Sequence, residues 1–240
     1  MNDLLYDEIT HDIQAAAGYR EAVPETRYHK HREYLSYGLP MAELWRIMKA
    51  YRPQIITEPL LARLALAARL LARHIGELGH AGIYVLARST KDLDPQHFPY
   101  LDQRMDDFRS WSHVDYYCGE VLQPLLKRLP AETLAQLEKW SQSPNRFKRR
   151  SSVVVFTRKL GSSGQYTAEC LALCDRLIWD PEDIVQKGVG WALKENMKAE
   201  PELIVDYVKN LRRLGVPSTI TLYAIGNLKG EARQQVLAVK

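Results

Sequence analysis

The feature that most constrains this chain is the spacing of its apolar residues. Almost everywhere they recur at three- and four-residue intervals, and short breaks carrying Pro, Gly, Asn or Ser interrupt the pattern. That rhythm predicts helices near 3–17, 25–36, 40–50, 58–77, 79–89, 95–108, 112–128, 131–142, 146–160, 164–178, 181–198, 201–213 and 217–229. Breaks such as Gly38-Leu39-Pro40, Ser143-Pro144-Asn145 and Gly161-Ser162-Ser163-Gly164 separate them. In Asp180-Pro181-Glu182 an acid at the N-cap and Pro at the first helical position predict a helix start. Only Ser152–Thr157, SVVVFT, has strand character, and with no partner nearby it is read as helix.

The expected architecture is therefore all-α. Helix pairs follow one another roughly every 35–45 residues, the period of HEAT-like repeats. Stacked antiparallel pairs form a solenoid with a concave face, read here as one domain over residues 1–240. Self-similarity between the pairs is weak, so the stacking is better supported than the repeat name.

Composition is that of an ordinary globular protein, 46% apolar and 26% charged. A net charge of +4 decides nothing, but its distribution does more. No acid falls between Glu138 and Glu169, whereas Lys139, Arg146, Lys148, Arg149, Arg150, Arg158 and Lys159 all do. Such a stretch suits a polyanion and would make the concave face basic, although a solvated basic surface has the same sequence. Cys118, Cys170 and Cys174 form neither a disulfide framework nor a zinc pattern, which fits a reducing, cytoplasmic setting. The opening MNDLLYDEITHDI lacks a basic region followed by an apolar run, so no secretory signal is expected. The apolar stretch Pro59–Ile75 is interrupted by Arg63, Arg69, Arg73 and His74, so it is not a membrane span.

Three constellations carry chemistry. Trp111 and Asp115 are one helical turn apart. At about 100° per residue, Asp115 falls with Cys118, Leu122, Leu125 and Leu126 on an apolar stripe, where a carboxylate is unexpected. It either serves a function or closes a capping box with Ser112. On the helix 181–198, Lys187, Trp191, Lys194 and Lys198 lie within about 60°, away from the stripe of Val185, Gly188, Val189 and Ala192. A Trp among lysines suits an aromatic platform beside phosphates, or equally a ring packed under lysine stems. Arg146-Phe147-Lys148-Arg149-Arg150 opens a helix whose N-terminus favours an anion, or is a solvated basic turn.

Other chemistries lack their residues. His74, Glu77 and His80 fan over roughly 120° and make no tight metal face. Gly161-Ser-Ser-Gly164 lacks the Lys of a phosphate-binding loop, and no nucleophile elbow occurs. The seven histidines are scattered.

These segments, in this order, resemble the AlkD family of alkylpurine DNA glycosylases over about residues 20–228. Trp111-Ser-His-Val-Asp115 is similar to the family's Trp-x-x-x-Asp. Asn145-Arg-Phe-Lys-Arg-Arg150 is similar to the helix start ending in its active-site arginine. Ile184-Val-Gln-Lys-Gly-Val-Gly-Trp-Ala-Leu-Lys194, the most specific match, is similar to Gln-Lys-x-x-Gly-Trp-x-Leu-Arg. Arg27-Tyr28-His-Lys looks like the segment whose tyrosine faces the DNA cleft.

The resemblance implies a monofunctional glycosylase that removes cationic N3- and N7-alkylated purines from duplex DNA without flipping the lesion into a pocket. Asp115, Trp111 and Trp191 would be its catalytic residues. Tyr28, Arg146, Arg149, Arg150, Lys187, Lys194 and Lys198 would bind DNA. No metal or other cofactor and no membrane is implied, and a monomer is expected. Phe147 stands where the family has Trp, Lys194 where it has Arg, and Ser218–Ile225 matches only loosely. Two other readings stay open: a non-catalytic binder of damaged or branched DNA, and a HEAT-type protein scaffold.

Overall fold

The computed structural model describes residues 3–27, 29 and 32–239. Among these the chain is helical apart from one two-stranded antiparallel pair, as the periodicity requires. It divides into two compact units, Met1–Pro130 and Ala131–Lys240.

The first unit opens with α1, Asp3–Ala16, which buries Leu5, Ile9 and Ile13 at four-residue intervals. The segment expected as a helix at 25–36 is not one. Strand β1, Val23–Pro24, pairs with β2, Leu35–Ser36, and Leu35 also bridges to Ile75. Helices α2 (Met41–Ala50) and α3 (Arg52–Thr57) come next, then α4 (Leu60–Leu71) and α5 (Gly76–Ser89). The expected helix 58–77 breaks before Ile75, where His74 takes a left-handed φ of 55°. The chain turns there and α5 packs back against α4. Every residue from Gly76 to Leu86 is buried, so α5 is the unit's central helix, packed also on α1, α2 and α3.

A short 3₁₀ turn leads into α6 (Phe98–Arg104), and Met105–Asp107 tightens into another before α7 (Trp111–Tyr117). The helix expected over 112–128 is interrupted. Cys118–Leu122 forms a π turn before α8, Gln123–Arg128. Pro124 explains the position, because its ring clashes with a carbonyl of the preceding turn and it has no N–H to donate. A π turn takes in one residue more than an α turn, which rotates the downstream helix by about 100°. The stripe joining Asp115 to Leu122, Leu125 and Leu126 therefore does not exist. Those leucines are buried, and Asp115 is half-buried.

The second unit holds α9 (Pro130–Ser141), α10 (Arg146–Val154), α11 (Arg158–Ser162), α12 (Thr167–Asp175), α13 (Asp183–Asn196), α14 (Pro201–Arg213), α15 (Ser218–Ala224) and α16 (Gly230–Leu237), the last not foreseen from sequence. The run SVVVFT begins in α10 and leaves it at Val155. Phe156 is buried, and Arg158 starts α11 with a left-handed φ of 57°. Helix α13 is central and packs on α10, α11, α12, α14 and α15. Two glycines allow this: a Cβ on Gly188 would lie 3.2 Å from Val154 Cγ2, and one on Gly190 would lie 2.8 Å from the Ile220 carbonyl oxygen. The start of α13 differs from expectation. Asp180 accepts from the Glu182 N–H at 2.9 Å, forming a turn, and the helix begins at Asp183.

Candidate functional site

In the first unit, Trp111 is the first residue of α7. Ser110 is its N-cap, with extended backbone and an Oγ that accepts from the Ser112 N–H at 2.9 Å. Asp115 lies one turn further on, outside the cap. The capping-box reading of Ser112 with Asp115 is thus overturned, because Ser110 already satisfies the donor such a box would serve. Trp111 and Asp115 are both half-buried on this one short helix.

A set of rings surrounds the start of α7. His29 stacks on Trp111 with centroids 5.7 Å apart and planes inclined by 16°. Its stack with Tyr34 is closer, 4.1 Å and 14°. His29 also has a polar partner at each nitrogen: Nδ1 lies 2.7 Å from Glu25 Oε2 and Nε2 lies 2.6 Å from Ser110 Oγ. Ser110 Oγ is in turn 2.7 Å from Ser112 Oγ, which hydrogen-bonds Tyr34. Burial, with the charge of Glu77 adding to it, pushes the Tyr34 phenol up, so it stays protonated.

Behind these rings lie two neutral histidines. The Gly76 carbonyl accepts from His80 Nδ1 at 2.9 Å and from His113 Nε2 at 3.0 Å. Burial pushes His80 down to about 4 and His113 well below its ordinary value. Small residues admit the rings: a Cβ on Gly76 would sit 2.2 Å from the Tyr34 hydroxyl, and one on Gly79 would sit 2.5 Å from His113. The buried Glu77 carboxylate accepts from Ser36 Oγ at 2.7 Å and from the N–H groups of Tyr37 and Leu39, each at 3.1 Å. It therefore fixes the segment that carries Tyr34. Sequence reading passed over Glu25, His29, Tyr34 and Ser110. Only Ser110, a favoured cap residue directly before Trp111, gave a local signal. Tyr28 lies outside the described residues.

In the second unit, the packed helices α10 and α13 carry six predicted residues, and the seventh, Lys198, lies in the turn after α13. Asn145 caps α10, its Oδ1 accepting from the Phe147 N–H at 2.8 Å. Arg149 is bound to Asp180 through Nε and Nη2 and donates to the carbonyls of Ser143 and Pro144. Arg150 is buried, and its Nη1 donates to the Ile184 carbonyl of α13 at 2.5 Å. Arg146 faces Glu182 at 3.9 Å. Lys187 pairs with Asp183 at 2.9 Å and Lys198 pairs with Glu195. Lys194 Nζ sits 4.8 Å over the Tyr223 ring.

Trp191 is half-buried and not a bare platform. Its Nε1–H donates to Glu195 Oε1 at 3.3 Å, and the Arg158 guanidinium lies 5.8 Å over its ring. Arg158 belongs to the acid-free stretch, but its place over Trp191 was not foreseen. The Lys187–Asp183 pair is open to water, so an incoming phosphate can exchange with it at small cost, whereas Lys198 pairs with a buried carboxylate. Among the described residues no cluster of three or more metal-ligating side chains occurs, and no described helix is long and apolar enough to cross a membrane.

Comparison with known proteins agrees with this architecture. A predicted DNA alkylation repair enzyme from Enterococcus faecalis superposes with a TM-score of 0.63 at 14% identity, covering 92% of this chain and 95% of that one. The alkylpurine DNA glycosylase AlkC of Pseudomonas fluorescens, bound to DNA containing an abasic site analog, superposes with a TM-score of 0.57 at 19% identity. It covers 99% of this chain, which spans 66% of that protein. At these identities the likeness shows the fold. No curated protein matches the sequence. The family described as DNA alkylation repair enzyme matches residues 9–228, nearly the whole chain, and the protein therefore belongs to the DNA alkylation repair family.

Proposed function

We propose that the protein is a monofunctional DNA glycosylase that hydrolyses the N-glycosidic bond of cationic N3- and N7-alkylated purines in duplex DNA. One observation carries this reading: α7, capped by Ser110, sets the half-buried Asp115 carboxylate one turn from the half-buried Trp111 ring. The chemistry needs little else. An alkylated purine already carries positive charge and departs without a general acid. Loss of the base builds positive charge on the deoxyribose, and a carboxylate stabilises that charge and orients the attacking water. Trp111 and Trp191 offer ring faces that attract cations and pack a sugar.

The remaining residues divide by their surroundings. Lys187, Lys194, Lys198 and Arg146 supply charge for the phosphodiester backbone, and Tyr28 would join them by resemblance to the AlkD segment. Arg150, buried and bonded to the Ile184 carbonyl, holds α10 to α13, and its assignment to a phosphate rests on the resemblance to the AlkD segment. Arg149 is assigned a supporting role through Asp180. The AlkC neighbour, described as bound to DNA containing an abasic site analog, supports duplex DNA as the partner. The protein would act as a monomer, in the cytoplasm on nucleoid DNA, without a cofactor.

The test is release of free 7-methylguanine or 3-methyladenine from methylated duplex, with spontaneous depurination subtracted. Asp115→Asn should fold and bind DNA but lose base release by orders of magnitude, because an amide cannot stabilise the sugar cation as a charge does. Near-normal excision by this variant would remove Asp115 from the chemistry. DNA binding without base release by the wild type would favour a non-catalytic DNA binder.

A further inference from the structure

The contacts of His29 go beyond this assignment. It is hydrogen-bonded to Glu25 at 2.7 Å and to Ser110 at 2.6 Å, and it is stacked between Tyr34 and Trp111. These contacts join into one continuous hydrogen-bonded set. His29 donates Nδ1–H to the Glu25 carboxylate, which has no proton to give, and Nε2 is hydrogen-bonded to the Ser110 hydroxyl. Ser110 Oγ is hydrogen-bonded to the Ser112 hydroxyl, and Ser112 to Tyr34. The set runs from the Tyr34 phenol to the Glu25 carboxylate.

A carboxylate, a histidine and a serine in this order also describe a hydrolase triad, but the serine is wrong for attack. Ser110 is 1% exposed, and its Oγ is occupied as the cap of α7. A nucleophile must be reached by its substrate, so the relay cannot end in chemistry at Ser110. It ends instead in the placement of the next residue, which is Trp111.

We infer that His29 is a positioning residue for Trp111. Its bond to Ser110 fixes the cap from which α7 starts, and its ring sets the plane of the indole. Glu25 and Tyr34 hold the imidazole in turn. The orientation of a Trp depends on two side-chain torsions, and a parallel ring at 5.7 Å restrains both. This inference rests on the glycosylase reading, in which the plane of Trp111 meets the sugar or base of the lesion.

Two measurements on the full chain test it. The first is steady-state base release from duplex containing 7-methylguanine. His29→Ala should lower kcat by on the order of tenfold to a hundredfold, as expected for a misplaced active-site group, with KM within about twofold. His29→Gln, whose amide can still reach Ser110, should recover a good part of kcat. A residue needed only for folding would lower the melting temperature without this split. The second measurement is acrylamide quenching of Trp111 fluorescence, isolated by subtracting Trp111→Phe in each background. It should rise several-fold in His29→Ala and less in His29→Gln. If both quenching and kcat of a folded His29→Ala variant equal those of wild type, the inference falls. If the wild type releases no base, the glycosylase reading fails, and the quenching alone decides whether His29 holds Trp111. Should His29→Ala not fold, His29→Gln against wild type decides in the same way.

Discussion

Arg149 and Asp180 lock together through two parallel hydrogen bonds, Nε to Oδ2 at 2.5 Å and Nη2 to Oδ1 at 3.2 Å. The Asp180 side chain is 4% exposed and that of Arg149 15%. This pair sits in the acid-free basic stretch, yet it is built into the fold, whereas Lys187 pairs with Asp183 in the open. The two cations should therefore fail differently. Arg149→Ala leaves a buried carboxylate without its partner and should cost about 3–5 kcal/mol in urea unfolding. Lys187→Ala should cost less than about 1 kcal/mol. It should reduce the salt dependence of duplex binding by roughly one phosphate contact, which Arg149→Ala should leave unchanged.

Removing the Glu77 side chain should unfasten the segment that carries Tyr34. Glu77→Ala leaves the N–H groups of Tyr37 and Leu39 and the Ser36 hydroxyl without their acceptor. The expected loss is about 2–4 kcal/mol, and Glu77→Gln, which keeps one acceptor oxygen, should lose less. Urea midpoints at fixed pH compare the three proteins.

Acid should weaken the first unit through its buried histidines. His80 has an ordinary value of 6.5 and is held down to about 4 by burial. Between these values the unfolded chain takes up a proton that the folded chain refuses. The stability is present above 6.5, falls as pH drops towards 4, and the loss amounts to about 3 kcal/mol for this group. His113, displaced in the same direction, adds to it. Melting temperature against pH should therefore fall steeply below 6.5. His80→Asn should start lower, because it is smaller, but fall less steeply.

Gly190→Ala sets two effects against each other. Alanine gains about 1 kcal/mol of helix propensity. Its Cβ would lie 2.7 Å from Tyr223 Cβ and 2.8 Å from the Ile220 carbonyl oxygen, and the backbone oxygen cannot rotate away. The clash should win, giving a net loss of about 1–3 kcal/mol. A gain in stability on thermal melting would show that α15 can retreat from α13.

The helices of both units were legible in the sequence because amphipathic spacing is a local property. The breaks were less so. His74 and Arg158 adopt left-handed backbone without being glycine, so neither marks its turn. The segment 25–36 has a helical rhythm, but its ends are held from elsewhere: Leu35 pairs with Pro24 and Ile75, and the residues just after it are held by Glu77. Such partners are distant in sequence and leave no pattern near the segment. The same holds at the candidate site. Trp111 and Asp115 stand out by spacing, whereas His29 is 81 residues from the serine it contacts. Reading helices over α10 and α13 did not reveal that Asp180 takes Arg149, since a basic run looks alike whether its charges face water or a buried acid.

The π turn at Cys118–Leu122 has a consequence for how this stretch can vary. Ahead of it the helix presents Trp111 and Asp115; behind it the helix serves Leu125 and Leu126, which are fully buried. The surplus residue works as a swivel joint between two tenants of one rod. Each end can be tuned for its own neighbours without dragging the other around the axis. Deleting Gly119 should therefore close the joint into ordinary α-helix with both faces kept, whereas deleting a residue within α8 would turn every side chain beyond it by about 100°.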